Sequence, residues 1–525
     1  LARACPQARF QPVYGGDVVR AMCAALDDPG ARGKRYDLSV AFPGEPRPKP
    51  KPGVERQPAR GDANEDLPAN IWEILAEDFK SRIRKNRSTL LFANSRRLTE
   101  KIARYLNDGE VSPLAYAHHG SLSREIRSVV EERLKEGRLS AIVATSSLEL
   151  GIDIGALDEV LLVQTPPTIA AAVQRIGRAG HGVGEVSRGR LYPTFGRDFI
   201  DAAVVAKAVL SGEIEEIRPV ENSLDVLAQV ILSMVAAESW AIDDLYRVRR
   251  TAWPYRDLPR RWFDLVLDML AGRYADSRIR ELKPRVTVDR VDGTVRARRG
   301  ADRLVYRAGG TIPDRGYYAL KLHDSGAKIG ELDEEFVWER SVGDTFHLGA
   351  QGWRIRQITH NDVLVSPARK VGGLAPFWRA DERDRGFFLS EKIGRFLEGA
   401  EAELAGPGGR AALKERLTDE HAVEDGAAEQ LLDLLDRQRA ATGVALPHRR
   451  HLVVERVEAT GEHGARRQLV LHTFWGGRVN RPFALALAAA WAERHPLEPV
   501  EILHDNDCVM VELPAGLAGR GAVGE

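Results

Sequence analysis

The chain has 525 residues, 43% hydrophobic and 29% charged, with Lys plus Arg equal to Asp plus Glu at 76 each. This is the composition of a globular protein with room for several cores, and a formal net charge of zero excludes a global field that draws in polyanions. Cys5, Cys23 and Cys508 lie far apart, against zinc or a disulfide framework and for a reducing, cytoplasmic setting. No apolar run approaches the roughly 20 residues of a membrane span.

The chain starts at Leu1 without a signal-peptide pattern and reads as a piece of a longer protein. Residues 17–26 read as a helix stopped by Asp27-Asp28-Pro29-Gly30. Residues 1–68 end in a linker, Pro-rich over 43–53 and therefore extended and semi-rigid. From residue 71 helix and strand alternate: helix 71–85, strand 89–93, helix 98–106, strand 114–117, helix 124–135, strand 141–144, strand 160–163. Helix 98–106 sets Leu98, Ile102, Ala103 and Leu106 along one face. The β-α repeat over 69–220 predicts a right-handed parallel sheet covered by helices.

Over 221–299 the pattern turns helical, with Leu227, Ile231 and Val235, then Phe263, Val266 and Leu270, at helical spacing. Strands 285–288 and 294–297 follow around Asp292-Gly293, a hairpin signal. Helices then a hairpin outline a winged helix. Within it, 246–256 and Arg260-Arg261-Trp262 interleave cations with aromatics. Either these meet phosphates and bases, or the aromatics are core and the arginines solvated. Residues 300–375 read as a small β-barrel, with strands at 317–322, 336–338, 345–348, 353–359 and 362–366. Residues 376–525 read as α+β. The fold class is thus multidomain, α/β and α+β.

Two short segments ask for chemistry. Thr145, Ser146 and Ser147 follow a strand directly, where hydroxyls and backbone N–H groups suit phosphates. Arg175 and Arg178 lie three apart, on one face if helical, with Gly177 and Gly180 permitting close backbone approach. Two fixed cations beside a glycine turn suit a transferring phosphoryl group. A structural strand with a solvated basic helix is the other reading of the same residues.

In order along 91–181 the chain carries LFANSRR, AHHGSLS, TSSLELGIDIG and QRIGRAGH. The first, third and fourth resemble motifs IV, V and VI of superfamily 2 (DEAD/DEAH-box) helicases. These variants are most similar to the large helicase-related (Lhr) family of ATP-dependent 3′-to-5′ helicases. GGTIPDRG (309–316), GELDEEFVWE (330–339), VGDTF (342–346) and LAPFW (374–378) extend the resemblance to about 69–520. It implies a second RecA-like motor domain at 69–220, a winged helix, a barrel and an Lhr-type α+β domain.

The same resemblance assigns roles. Arg178 becomes the arginine finger, flanked by Arg175 and Gln174; Gly151 and Asp153 approach ATP. Ser95, Arg96, Arg97, His119, Thr145 and Ser146 contact a single strand of DNA or a DNA–RNA hybrid, and Trp378 stacks on it. His118 and His119 also read as a hydrogen-bonded helix-start pair, and Trp378 as a core residue. His181 stands where many superfamily 2 enzymes carry arginine. Neither GxxxxGK[ST] nor a strand-borne acidic motif occurs, Asp419-Glu420-His421 lacking that context. The ligands of Mg²⁺ and triphosphate are therefore expected on a missing first RecA-like domain, and the chain alone is expected not to hydrolyse ATP. The alternative is a non-catalytic strand-binding module with a degenerate motor fold. Residues 10–38 resemble the tail of an NAD(P)-binding sugar-epimerase-like domain without its Gly-rich fingerprint; they also read as the end of a first motor domain, with 35–42 a strand.

Overall fold

The computed structural model describes residues 35–43, 71–122, 124–149, 157–180, 185–217, 219–273, 283–307, 317–338, 340–348, 351–359, 361–368, 384–461, 464–496 and 500–513. The expected helix at 17–26 and most of the linker lie outside them. Contacts divide the chain into two units, one containing 216–316 and the other 34–215 with 317–525.

In the larger unit, β1 (Arg35–Val40), β2 (Thr89–Ala93), β3 (Ala115–His118), β4 (Ala141–Ala144), β5 (Glu159–Val163) and β6 (Val186–Tyr192) form a six-stranded sheet. Its order is β1-β6-β5-β2-β4-β3, every pair parallel. Residues 35–40, read two ways from sequence, are the edge strand beside β6. β2 and β4 are buried at every position, as central parallel strands covered on both faces require. Four helices connect the strands, α1 (Ile71–Lys85), α2 (Arg96–Asn107), α3 (Arg124–Lys135) and α4 (Ile169–Ile176), and α5 (Asp198–Leu210) follows β6. α2 buries the four residues expected of it. α1 is tied to the sheet by Tyr192, whose hydroxyl donates to Asp78 at 2.5 Å and whose ring meets Phe79 edge-on at 4.8 Å.

The smaller unit contains α6 (Leu224–Ala237), β7 (Trp240–Ala241), α7 (Ile242–Arg250), α8 (Arg260–Leu270), the hairpin β8 (Val286–Asp289) and β9 (Thr294–Ala297), and α9 (Ala301–Arg307). α6 and α8 pack through Leu227, Ile231, Val235, Phe263, Val266 and Leu267, the winged-helix outline read from sequence. The hairpin loop runs over four residues, 290–293. Asp289 Oδ1 accepts from the N–H groups of Val291 and Asp292, and Gly293 closes the loop at φ +62°. Tyr246 is partly buried against Phe263 and donates to Leu258 O, while Arg250 and Arg260 lie over its ring at 5.7 and 5.2 Å. Arg260 also bonds Asp243 and Asp264. Asp243, Tyr246, Arg247, Arg250 and Arg260 line an open pocket of about 380 Å³.

Back in the larger unit, β10 (Tyr317–Leu322), β11 (Lys328–Asp333), α10 (Glu334–Trp338), β12 (Thr345–Leu348), β13 (Gln351–Ile358) and β14 (Asp362–Pro367) follow. The small barrel expected here is, among the described residues, an open sheet of order β11-β10-β14-β13-β12, with no pairing between β11 and β12. Residues 336–338, read as a strand, are helical: Phe336 and Val337 fill the core beneath the sheet, Phe336 against Phe346. This sheet docks on the parallel-sheet domain through backbone. Glu331 N donates to Ser121 O at 2.7 Å, and a Cβ on Gly330 would stand 2.2 Å from the same oxygen, so no other residue fits there without moving backbone.

Residues 384–513 add α11 (Phe387–Ala405), α12 (Gly409–His421), α13 (Asp425–Thr442), β15 (Val453–Gly461), β16 (Gly464–His472), α14 (Gly477–Arg494), β17 (Glu501–His504) and β18 (Cys508–Leu513), the strands in order β15-β16-β18-β17. α11, α12 and α13 pack on α5, and their apolar residues belong to the same core as the six-stranded sheet. α5 is covered on both sides and is therefore apolar nearly all round. Asp419-Glu420-His421 is the end of α12, not a strand loop, and His421 is buried. Its Nδ1 donates to Ala203 O at 2.9 Å. Burial pulls the His421 pKa from 6.5 down to about 4. Because the folded value is depressed, its stabilisation is complete above pH 6.5 and is lost as pH falls towards 4. The loss is roughly 3 kcal/mol. Urea denaturation of wild type and His421→Gln at pH 7 and pH 4.5 checks this: the extra acid sensitivity of wild type disappears in the variant.

Candidate nucleotide and nucleic-acid site

A parallel sheet turns all its strand-end loops to one edge. Here the loops after β2, β3 and β4 carry Asn94-Ser95-Arg96-Arg97, His119-Gly120-Ser121 and Thr145-Ser146-Ser147, on neighbouring strands as expected. Arg97 and Ser146 are exposed; Arg96 and Thr145 are half-buried. Arg96 donates to Ser121 Oγ at 2.6 Å and lies over the Tyr317 ring at 5.5 Å, so the docked sheet adds an aromatic to this edge. The Ser95 hydroxyl caps α2, accepting from Leu98 N at 3.1 Å.

The histidines are internal. His119 is fully buried, its Nε2 2.7 Å from Glu100 Oε1, and the strand contact expected of it is corrected: a ring with no exposed surface orders the loop instead. His118 bridges Ser147 Oγ and Glu131 Oε1, each at 2.8 Å, joining the β3 end to the loop after β4. Burial pulls its pKa below the ordinary value.

The two arginines part company. α4 ends at Ile176. Arg175, in its last turn, is only 3% exposed. Its Nε donates to Glu149 Oε2 at 3.0 Å, one Nη donates to Asn94 Oδ1 at 2.9 Å, and the guanidinium lies over Phe92 at 5.3 Å. Two cations facing one phosphate are therefore not what the fold presents: Arg175 is structural. Arg178, in the turn beyond the helix, is half-buried and grips the backbone carbonyl of Glu149 through Nε (3.1 Å) and Nη2 (2.6 Å). Gln174 is half-buried beside them. The turn depends on Gly180, at φ +65°, where a Cβ would stand 2.6 Å from Val186 O. The start of α4 is filled from within the chain, since the Glu215 carboxylate accepts from Ile169 N and Ala170 N. Nearby, Asp198 accepts from Thr165 N and Thr194 N, pinning the ends of β5 and β6, and burial pushes its pKa up to about 6.

Gly151, Asp153, His181 and Trp378 lie outside the described residues, as do residues 309–316 and 374–378 of the quoted motifs. Sequence reasoning passed over Glu149, Asn94 and Tyr317. Glu149 and Asn94 stood inside quoted motifs as the only acid of TSSLELG and the polar residue before Ser95, the one signal available.

Three family models match the chain in order: the helicase conserved C-terminal domain over 69–182, the winged helix domain of large helicase-related protein over 207–374, and the DEAD/H associated domain over 446–521. The solved helicase Lhr of Mycobacterium smegmatis, bound to ssDNA and AMP-PNP, superposes with a TM-score of 0.69 at 36% identity, over 92% of this chain and 55% of that one. The chain belongs to the Lhr helicase family. Two curated Lhr relatives agree. The Lhr helicase/uracil glycosylase of Escherichia coli is 39% identical over 86% of this chain and 31% of its own length. The ATP-dependent helicase Lhr-Core of Methanothermobacter thermautotrophicus is 34% identical over 84% and 51%. The chain thus spans 31% to 55% of the length of these Lhr proteins.

Proposed function

We propose that this chain is the second motor lobe, with its duplex-handling modules, of an ATP-driven helicase moving 3′ to 5′ along single-stranded DNA or one strand of a DNA–RNA hybrid. The observation that carries the reading is Arg178, half-exposed and held by two hydrogen bonds to one carbonyl at the strand-end edge. A guanidinium already held in place costs little further reorganisation when charge develops on a neighbouring phosphoryl group. Arg97, Ser146, Thr145 and Arg96 hold the strand through its phosphates, which requires no base readout. The hydroxyl of Ser95 serves the helix start. Gln174 faces the nucleotide beside Arg178, and Gly151, Asp153 and Trp378 keep the roles that the family resemblance implies.

Binding of ATP closes the two lobes on the strand, and hydrolysis of its phosphoanhydride bond lets them reopen. Among the described residues there is no cluster of three acids, histidines or cysteines suited to a metal, and Glu149 is already committed to Arg175. Arg178 fits the triphosphate; Mg²⁺ is assigned to acids of a first RecA-like domain within the extra length of the relatives. The chain alone is accordingly expected to release no phosphate above background with or without single-stranded DNA. Joining it in cis to such a first lobe is expected to produce strand-stimulated release. Turnover by the chain alone would overturn this division of labour. Strand binding without turnover in the joined protein would favour a pure binding module.

A further inference from the structure

Glu149 has two independent holds on motif VI. Its carboxylate takes Arg175 Nε at 3.0 Å, and its backbone carbonyl takes both Nε and Nη2 of Arg178. Arg175 is in turn fixed by Asn94, whose side-chain N–H group donates to Thr165 O at 2.7 Å. The side chains of Asn94 and Arg175 thus form a continuous tie from the loop preceding Ser95 and Arg96, through Glu149, to Arg178. Segments that follow three different strands, β2, β4 and β5, thus meet at the Arg175 guanidinium, whose partner Glu149 has 15% of its side chain exposed.

We infer that Glu149 is the positioning residue for Arg178. Its carboxylate fixes the loop after β4 against Arg175, and that loop's carbonyl then holds the Arg178 guanidinium in place. Glu149 touches no nucleotide in this role. The inference rests on the motor reading, deepening it by naming what sets the finger and by tying that setting to the strand-contacting loops. A misplacement of about 1 Å in a catalytic group costs on the order of 10²-fold in rate, whereas substrate affinity set by other contacts is untouched.

The test uses protein carrying the first lobe in cis and compares wild type, Glu149→Gln, Glu149→Gln with Arg175→Gln, and Arg178→Ala. The double variant removes both charges of the buried pair together, so neither is stranded. Expected for both Glu149 variants is a fall of about 10²-fold in kcat for strand-stimulated ATP hydrolysis, with KM for ATP and Kd for a single-stranded oligonucleotide unchanged. Wild-type kcat in both variants, or a parallel loss of kcat, KM, Kd and Tm, overturns the inference. If Arg178→Ala hydrolyses ATP like wild type, the motor reading fails first. If Arg178→Ala is inactive while both Glu149 variants are wild type, only the positioning role fails.

Discussion

Replacing Arg178 by alanine in protein that carries both motor lobes is expected to lower kcat for ATP hydrolysis by about 10³–10⁵-fold, the contribution of an arginine finger in related phosphoryl transfer. Binding of single-stranded DNA is expected to survive with its salt dependence intact, because the residues proposed to contact phosphates lie on the loops after β2 and β4. Phosphate release and an anisotropy titration at several salt concentrations check the two halves. Simultaneous loss of both activities would contradict the division between nucleotide and strand contacts. Arg175→Ala is a different experiment. It takes a buried guanidinium away from its partners Glu149 and Asn94, so it is expected to lower stability before any kinetic constant is interpretable.

Removing Arg385 is expected to produce the largest loss of stability. This side chain is 5% exposed. It donates to Asp507 Oδ1 at 2.7 Å, Asn506 O at 3.1 Å, Ser390 Oγ at 2.9 Å and Asp201 Oδ1 at 3.4 Å. It therefore joins α5 of the motor domain, the start of α11 and the turn between β17 and β18. Burial draws its pKa down while Asp201 draws it up. Arg197 reaches Asp507 and Asp201 as well. Arg385→Met leaves two aspartates with one cation, and breaking a buried pair in this way costs about 3–5 kcal/mol. Urea denaturation of the intact chain checks it. A change no larger than that of a surface substitution would mean that the cluster is already wet.

The motor domain was readable because its signals are local. β2 and β4 are short apolar runs bounded by polar loops, and α2 repeats its apolar residues at helical spacing, so their limits fall within two residues of those expected. Residues 336–338 misled because Phe336, Val337 and Trp338 carry strand-type side chains at a site where the chain turns under the sheet. β11 was not assigned as a strand; its Gly330 marks a close backbone approach that only the partner loop explains.

The sequence by itself determined the family, the order of the modules and which loops carry the charged and hydroxyl residues, since all of these depend on residue type and spacing along the chain. Only the tertiary structure decided which of those residues face outward. Arg175 and Arg178 are alike as letters three positions apart, yet one lies buried on a carboxylate and the other stands half-exposed against a carbonyl. The partners that separate them, Asn94 and Glu149, are 81 and 26 residues distant from Arg175 in the chain, and no local pattern encodes a pairing made by sheet order.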